Sequence, residues 1–209
     1  MTSTLAFNIA QFFPSLNYCL LSLILRKAGF DPKVKCFFSN YLVGRKTWYL
    51  WNNFSSLLFN IDIGVEQGST LSFILFALYL APVLYILEKC LKTLKIPIFI
   101  LSFVDDGLLI AQSKLLAILN DFLFCSYRVI SSCLEKFKLI LKYGKMEVFH
   151  FSRSNDIFDS SSFNLSILGG SLLCPRSSWK YLRFIFNIKL SFGPILITMQ
   201  TRLFQLSNV

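Results

Sequence analysis

The chain has 209 residues and carries 21 Lys and Arg against 11 Asp and Glu, a net charge of +10. Hydrophobic residues make up 55% and charged residues 15%, against about 45–50% and about 25% in ordinary globular chains. That balance excludes intrinsic disorder, and 9 Gly and 6 Pro without a period exclude a collagen-like or linker-like chain.

Two classes remain, a buried-core domain with an apolar surface and a membrane protein. The positive excess suits a polyphosphate partner or the cytoplasmic flank of a span.

Leu5 to Ala10 reads as a short buried strand that breaks at Pro14-Ser15. Ser15 is the expected cap of a helix that runs to about Ala28 and stops at Gly29. Asp31-Pro32 starts a second helix, ending near Gly44. Thr47 to Trp51 and Phe54 to Asp62 flank Asn52-Asn53 and predict a hairpin. A long apolar helix is expected from about Thr70 to Lys92. Ile98 to Val104 and Leu108 to Ala111 enclose Asp105-Asp106-Gly107, a hairpin signature in which Gly107 is expected to supply a positive φ. Lys114 to Lys142 has helical spacing. Met146 to Phe151 and Trp179 to Phe186 read as strands around a polar loop, Ser152 to Ser162, and the tail from Ser191 reads as the start of a helix. Alternating strands and helices indicate α/β or α+β layers.

No charged residue occurs from Gln67 to Leu87, a run long enough to cross a bilayer. Against a span, the run opens with Gln67-Gly68-Ser69-Thr70 and contains Ser72 and Pro82. The nearby apolar run ends in two adjacent carboxylates, costly in lipid and ordinary at the end of a buried strand. The six cysteines form no CxxC pair and His150 is the sole histidine, which argues against zinc. Reduced structural thiols and the lack of a signal peptide at the N-terminus predict an intracellular protein, in cytoplasm or nucleus. His150, inside an apolar strand, reads as structural.

Three motifs carry the chemistry. They are Phe7-Asn8-Ile9-Ala10-Gln11-Phe12-Phe13, the two-glycine turn Gly64-Val65-Glu66-Gln67-Gly68-Ser69-Thr70-Leu71-Ser72, and Phe103-Val104-Asp105-Asp106. In this order they resemble the reverse transcriptase domain of a LINE-type (non-LTR) retrotransposon, most similar to fungal elements, over about Leu5 to Leu190. Nucleotidyl transfer of that kind uses two Mg²⁺ ions, hard cations that need carboxylates converging from rigid strands.

The resemblance implies an α+β fold, a polymerase palm-like antiparallel sheet backed by helices, over 1–187, with the start of a thumb in 188–209 and the fingers missing. It implies an RNA-directed DNA polymerase acting on an RNA template, a DNA primer and deoxynucleoside triphosphates. Asp105, Asp106 and the backbone carbonyl of Ile9 would hold Mg²⁺. Gln67 and Gly68 would meet template and nucleotide, and Phe13 would crowd a ribose 2′-hydroxyl. Lys145 would protonate pyrophosphate, and Lys180, Tyr181 and Leu182 would grip the primer.

The chain departs from that pattern where it matters. The family has Asp where Asn8 stands, and a neutral amide is a poor Mg²⁺ ligand. Losing one such electrostatic group costs about 10²–10³ in rate. Phe73, Arg183 and Asn187 replace the usual Pro, Gly and Asp. The expectation is an inactive copy, with a non-catalytic nucleic-acid-binding remnant as the alternative and a membrane protein spanning 67–87 as a weaker one. Asp→Asn and Gly→Arg each need one G-to-A change and Pro→Phe two C-to-T changes, the mark of cytosine deamination, which also enriches Phe, Ile, Lys and Asn. The coding sequence is therefore expected to show a transition bias; balanced base composition would remove the idea.

Overall fold

The run Thr2–Ala10 lacks a polar face. Leu5, Phe7 and Ile9 lie on one side and Thr4, Ala6 and Asn8 on the other, with the strand buried from Ser3 to Ile9. Such a strand needs cover on both faces and a neighbour on both edges. In the computed structural model, which describes residues 1–93, 97–152, 165–166, 172–176, 178–182 and 184–189, it is β1, the centre of a five-stranded antiparallel sheet.

A 3-10 turn over Phe13–Ser15 follows β1, then α1 (Tyr18–Lys27). The α1 cap is Asn17, which accepts from the Leu20 N–H at 3.0 Å. Ser15 is not the cap, because its hydroxyl is spent on the Phe12 carbonyl at 2.9 Å within the turn. α2 (Pro32–Leu42) begins as predicted, with Asp31 accepting from the Lys33 N–H. The aromatic hairpin forms as two short ladders. β2 (Lys46–Thr47) pairs β5 (Phe59–Asn60), and β3 (Leu50–Trp51) pairs β4 (Phe54–Ser55) around Asn52 at φ +51°.

α3 spans Thr70–Lys92 and buries Leu75, Tyr79, Val83, Leu87 and Leu91 in one i, i+4 row. It packs against α1, α4 (Leu116–Lys136) and β6 (Ile98–Phe103). Both long helices are apolar and long enough to cross a membrane by length and composition, and both contribute to the core here. Each fully buried Leu or Phe contributes about 1.5–3 kcal/mol. The Tyr79 hydroxyl is satisfied by the Phe137 carbonyl at 2.5 Å.

β6 and β7 (Asp106–Gln112) form the acidic hairpin, and β7 runs along β1 in the register Thr2↔Gln112 to Asn8↔Asp106. The helix read through Lys142 ends instead at Lys136. Lys138 takes φ +58°, its N–H and that of Leu139 close the helix on Glu135 and Leu134, and the chain turns into β8 (Ile140–Leu141). The second edge of β1 is shared. β9 (Glu147–Phe151) pairs Thr2–Ala6, and β8 pairs Ile9 and Ala10.

β10 (Leu165–Ser166) pairs β11 (Leu172–Leu173). The single strand read over Trp179–Phe186 is a hairpin, β12 (Ser178–Tyr181) and β13 (Phe184–Asn187), with Leu182 at φ +47° in its turn. Arg183, most of the Ser152–Ser162 loop and the helix expected from Ser191 lie outside the described residues.

The large core fills one face of the sheet, between Leu5, Phe7, Ile9, Leu109 and the helices. On the other face Trp179 of β12 covers Ala6, Leu108, Phe149 and Phe151.

His150 lies opposite Ser3, with the hydroxyl 2.6 Å from its Nδ1. It is 6% exposed and its Nε2 has no partner, so burial pulls its pKa down to about 4. Because the folded value lies below the unfolded one, the stability of the neutral ring is present above pH 6.5 and lost as pH falls toward 4. Urea midpoints at pH 7.5 and 4.5 should show about 2–3 kcal/mol lost, and His150→Leu should remove that part of the slope.

Candidate functional site

The three motifs meet at the C-terminal end of β1. Gly64, at φ +79°, docks against the Phe13–Ser15 turn so closely that a Cβ there would lie 2.6 Å from the Pro14 carbonyl oxygen. The Val65 N–H donates to the Phe13 carbonyl at 2.9 Å and the Gly64 N–H to Leu16 at 2.8 Å. The Tyr18 hydroxyl and the Arg45 guanidinium both donate to the Gly64 carbonyl. Gln67 and Gly68 follow as an exposed turn, Gly68 at φ +102° with open space where a side chain would stand.

The acidic hairpin arrives from the other direction. Phe103 pairs Asp106, leaving Val104-Asp105 as a two-residue loop. The positive φ falls on Val104, at +57°, and not on Gly107. A positive φ at the first loop position alone is the type II′ pattern, and on a β-branched residue it stores about 1–3 kcal/mol of strain. Gly107 is needed for a different reason. It pairs with Phe7, whose ring occupies the place of a Cβ.

Two sets of bonds hold the strained tip. The Ile9 N–H donates to the Asp105 carbonyl at 2.9 Å. In a strand the N–H and C=O of one residue face the same neighbour, so the Ile9 carbonyl faces the hairpin as well. Asn8, only 6% exposed, donates through Nδ2 to Asp105 Oδ2 at 2.9 Å and to Asp106 Oδ1 at 2.8 Å. The nitrogen must be the end that faces the carboxylates, since the amide oxygen there would set three acceptors together.

Beside this corner lies a cleft of about 240 Å³ lined by Asn8, Asp106, Lys145, Lys180, Tyr181 and Leu182. Six positions singled out in sequence thus share one cavity. Lys145 closes the 3-10 turn Tyr143–Lys145 between β8 and β9. Tyr181 stacks on Trp179 with centroids 5.0 Å apart. Burial, and then the Asp106 carboxylate, push its phenol pKa up.

Phe13 is placed apart from the cleft. It is 8% exposed and edge-to-face with Phe73 at 5.4 Å and Phe76 at 5.7 Å, so Phe73, which stands where Pro was expected, is its packing partner. The sequence reading missed the Tyr18–Arg45–Gly64 cluster and the Phe7–Gly107 contact. Gly64 and Gly107 carried a signal only as glycines of their turns, which does not name the partner either one meets.

Whether the corner suits two Mg²⁺ ions depends on its donor set. Among the described residues no group of three or more His, Cys, Asp or Glu is placed to hold a metal. One oxygen of each carboxylate already accepts from the Asn8 amide, and Asn8 adds no charge to the two carboxylates. The residues present do not fit a two-metal centre.

A helix-backed antiparallel sheet with paired carboxylates at a hairpin tip beside its central strand is a polymerase-palm type of α+β fold. The chain is similar in structure to telomerase from Candida tropicalis in complex with a TWJ fragment of telomeric RNA, with a TM-score of 0.61 and 13% identity over 91% of this chain and 29% of that one. Telomerase from Candida albicans in complex with the same kind of RNA fragment gives a TM-score of 0.53 and 16% identity, over 91% of this chain and 31% of that one. The chain therefore spans under a third of either telomerase. No protein-family profile matches it, and no curated protein does.

Gly107→Ala should lower stability by about 1–3 kcal/mol, because the buried Phe7 ring must move. In urea titrations the double variant with Phe7→Leu should lose clearly less than the sum of the two singles. Additive losses would show that the ring is not what excludes a side chain at 107.

Proposed function

We propose that the chain is a reverse transcriptase palm-like domain of LINE-type retrotransposon descent that binds nucleic acid and does not polymerise it. The observation that carries this reading is the convergence of Asn8, Asp105 and Asp106 at one corner, with the Asn8 amide across both carboxylates. The palm-like fold, its likeness to RNA-bound telomerases and the +10 charge support nucleic-acid binding.

The ancestral reaction is RNA-templated DNA synthesis with Mg²⁺ and deoxynucleoside triphosphates. In that ancestry Ile9, Asp105 and Asp106 served the metals, Phe13, Gln67 and Gly68 the nucleotide and template, Lys145 the pyrophosphate, and Lys180 to Leu182 the primer. Residues 1–187 form the palm-like unit and 188–209 begin the thumb, in an intracellular protein of cytoplasm or nucleus. The buried row along α3 favours a core helix over a membrane span.

Two assays test the reading. RNA and DNA binding by fluorescence anisotropy should weaken steeply with salt. Primer extension on an RNA template with Mg²⁺ or Mn²⁺ should be absent for the chain as given. Asn8→Asp should raise extension by about 10²–10³ over that background. Extension in neither form would assign the loss to the other departures. Extension by the unmodified chain, or the absence of salt-sensitive binding, would overturn the reading.

A further inference from the structure

We propose that Asn8 does at this corner the electrostatic work of a cation, so that an amide closes the carboxylate pair and the fold is independent of divalent metal.

Asp105 and Asp106 are adjacent, half-buried and turned toward one another across Asn8. Like charges so placed repel unless donors stand between them. The ion pairs Lys92–Glu88 and Arg176–Glu147 involve neither of these carboxylates. Lys145 and Lys180 line the adjoining cleft without forming an ion pair to either carboxylate. The compensation comes from Asn8, whose two N–H groups meet two acceptors at 2.9 and 2.8 Å, one on each carboxylate. The match leaves no donor over.

The backbone makes this amide immovable. Asn8 lies in a buried strand, opposite Asp106 on one edge, and its carbonyl accepts from the Lys142 N–H at 2.8 Å on the other. A carboxylate at position 8 would replace both donors by a third negative charge at a site 6% exposed. Such a cluster lowers stability unless a cation or a proton offsets part of its charge. The inference therefore concerns the charge balance of the fold and stands apart from nucleic-acid binding.

Thermal unfolding of the unmodified chain and of Asn8→Asp, each in EDTA and in millimolar Mg²⁺, tests it. The unmodified chain should melt at the same temperature in both media. Asn8→Asp should melt lower in EDTA and recover by about 4 °C for each tenfold rise in Mg²⁺ above its Kd. Equal stability of the two forms in EDTA would overturn the inference, as would an equal Mg²⁺ response.

If Asn8→Asp does not fold in either medium, Mn²⁺ binding by paramagnetic resonance decides on the unmodified chain alone. No bound Mn²⁺ sensitive to Asp105→Asn supports the amide closure, and such binding refutes it. Neither readout involves a template or primer, so its failure is separate from failure of the proposed function.

Discussion

β1 is hydrogen-bonded along both edges while buried on both faces, and the geometry of the corner follows from that constraint. One edge takes β7 without interruption from Thr2 to Asn8. The other passes from β9 to β8 at Phe7-Asn8, and the turn at Lys142–Met146 fills the gap, with the Lys142 N–H reaching the Asn8 carbonyl. A slip of one residue would turn Phe7 and Ile9 out of the core and carry Asn8 into it. The apolar register therefore fixes the polar site. Phe7 adds a second pin, because its ring fits only over a glycine, and Gly107 adjoins Asp106 in sequence.

The parts of the fold legible in sequence are those with local signals. α3 begins and ends where polar Ser69-Thr70 and basic Lys92 bound an apolar run, and Asp31-Pro32 starts α2 as a cap followed by a first-turn proline should. The misreadings share a cause. Ser15 and Asn17 are equally good caps in isolation, and only the turn that uses the Ser15 hydroxyl decides between them. Lys138 ends α4 in the left-handed region without being glycine, which no local rule signals, and so the apolar spacing of Ile140-Leu141 reads as helix. The positive φ at Val104 in place of Gly107 is the same problem at the site itself.

Of the site, the residue types were legible and the contacts were not. Asn8 could be recognised as a missing negative charge, since that needs only the motif. Its bonds to groups 97 and 98 positions away depend on the hairpin register. The cleft likewise joins Lys145 to Lys180 and Tyr181 through a hairpin laid on the sheet by Trp179. Composition was the weakest guide. Much of the apolar excess sits at the surface, in Trp51 and Phe54 of the aromatic hairpin and in Phe99, Leu101 and Phe103 along β6. An average over the chain could not divide it between core and exterior.

Asn and Asp are nearly the same shape, and this explains how the corner keeps its form. The fold is secured by apolar burial and strand pairing, to which position 8 contributes volume and backbone bonds that either residue supplies. Chemistry at two carboxylates depends instead on what stands between them. An amide puts donors there, lowers the repulsion and occupies one oxygen of each carboxylate.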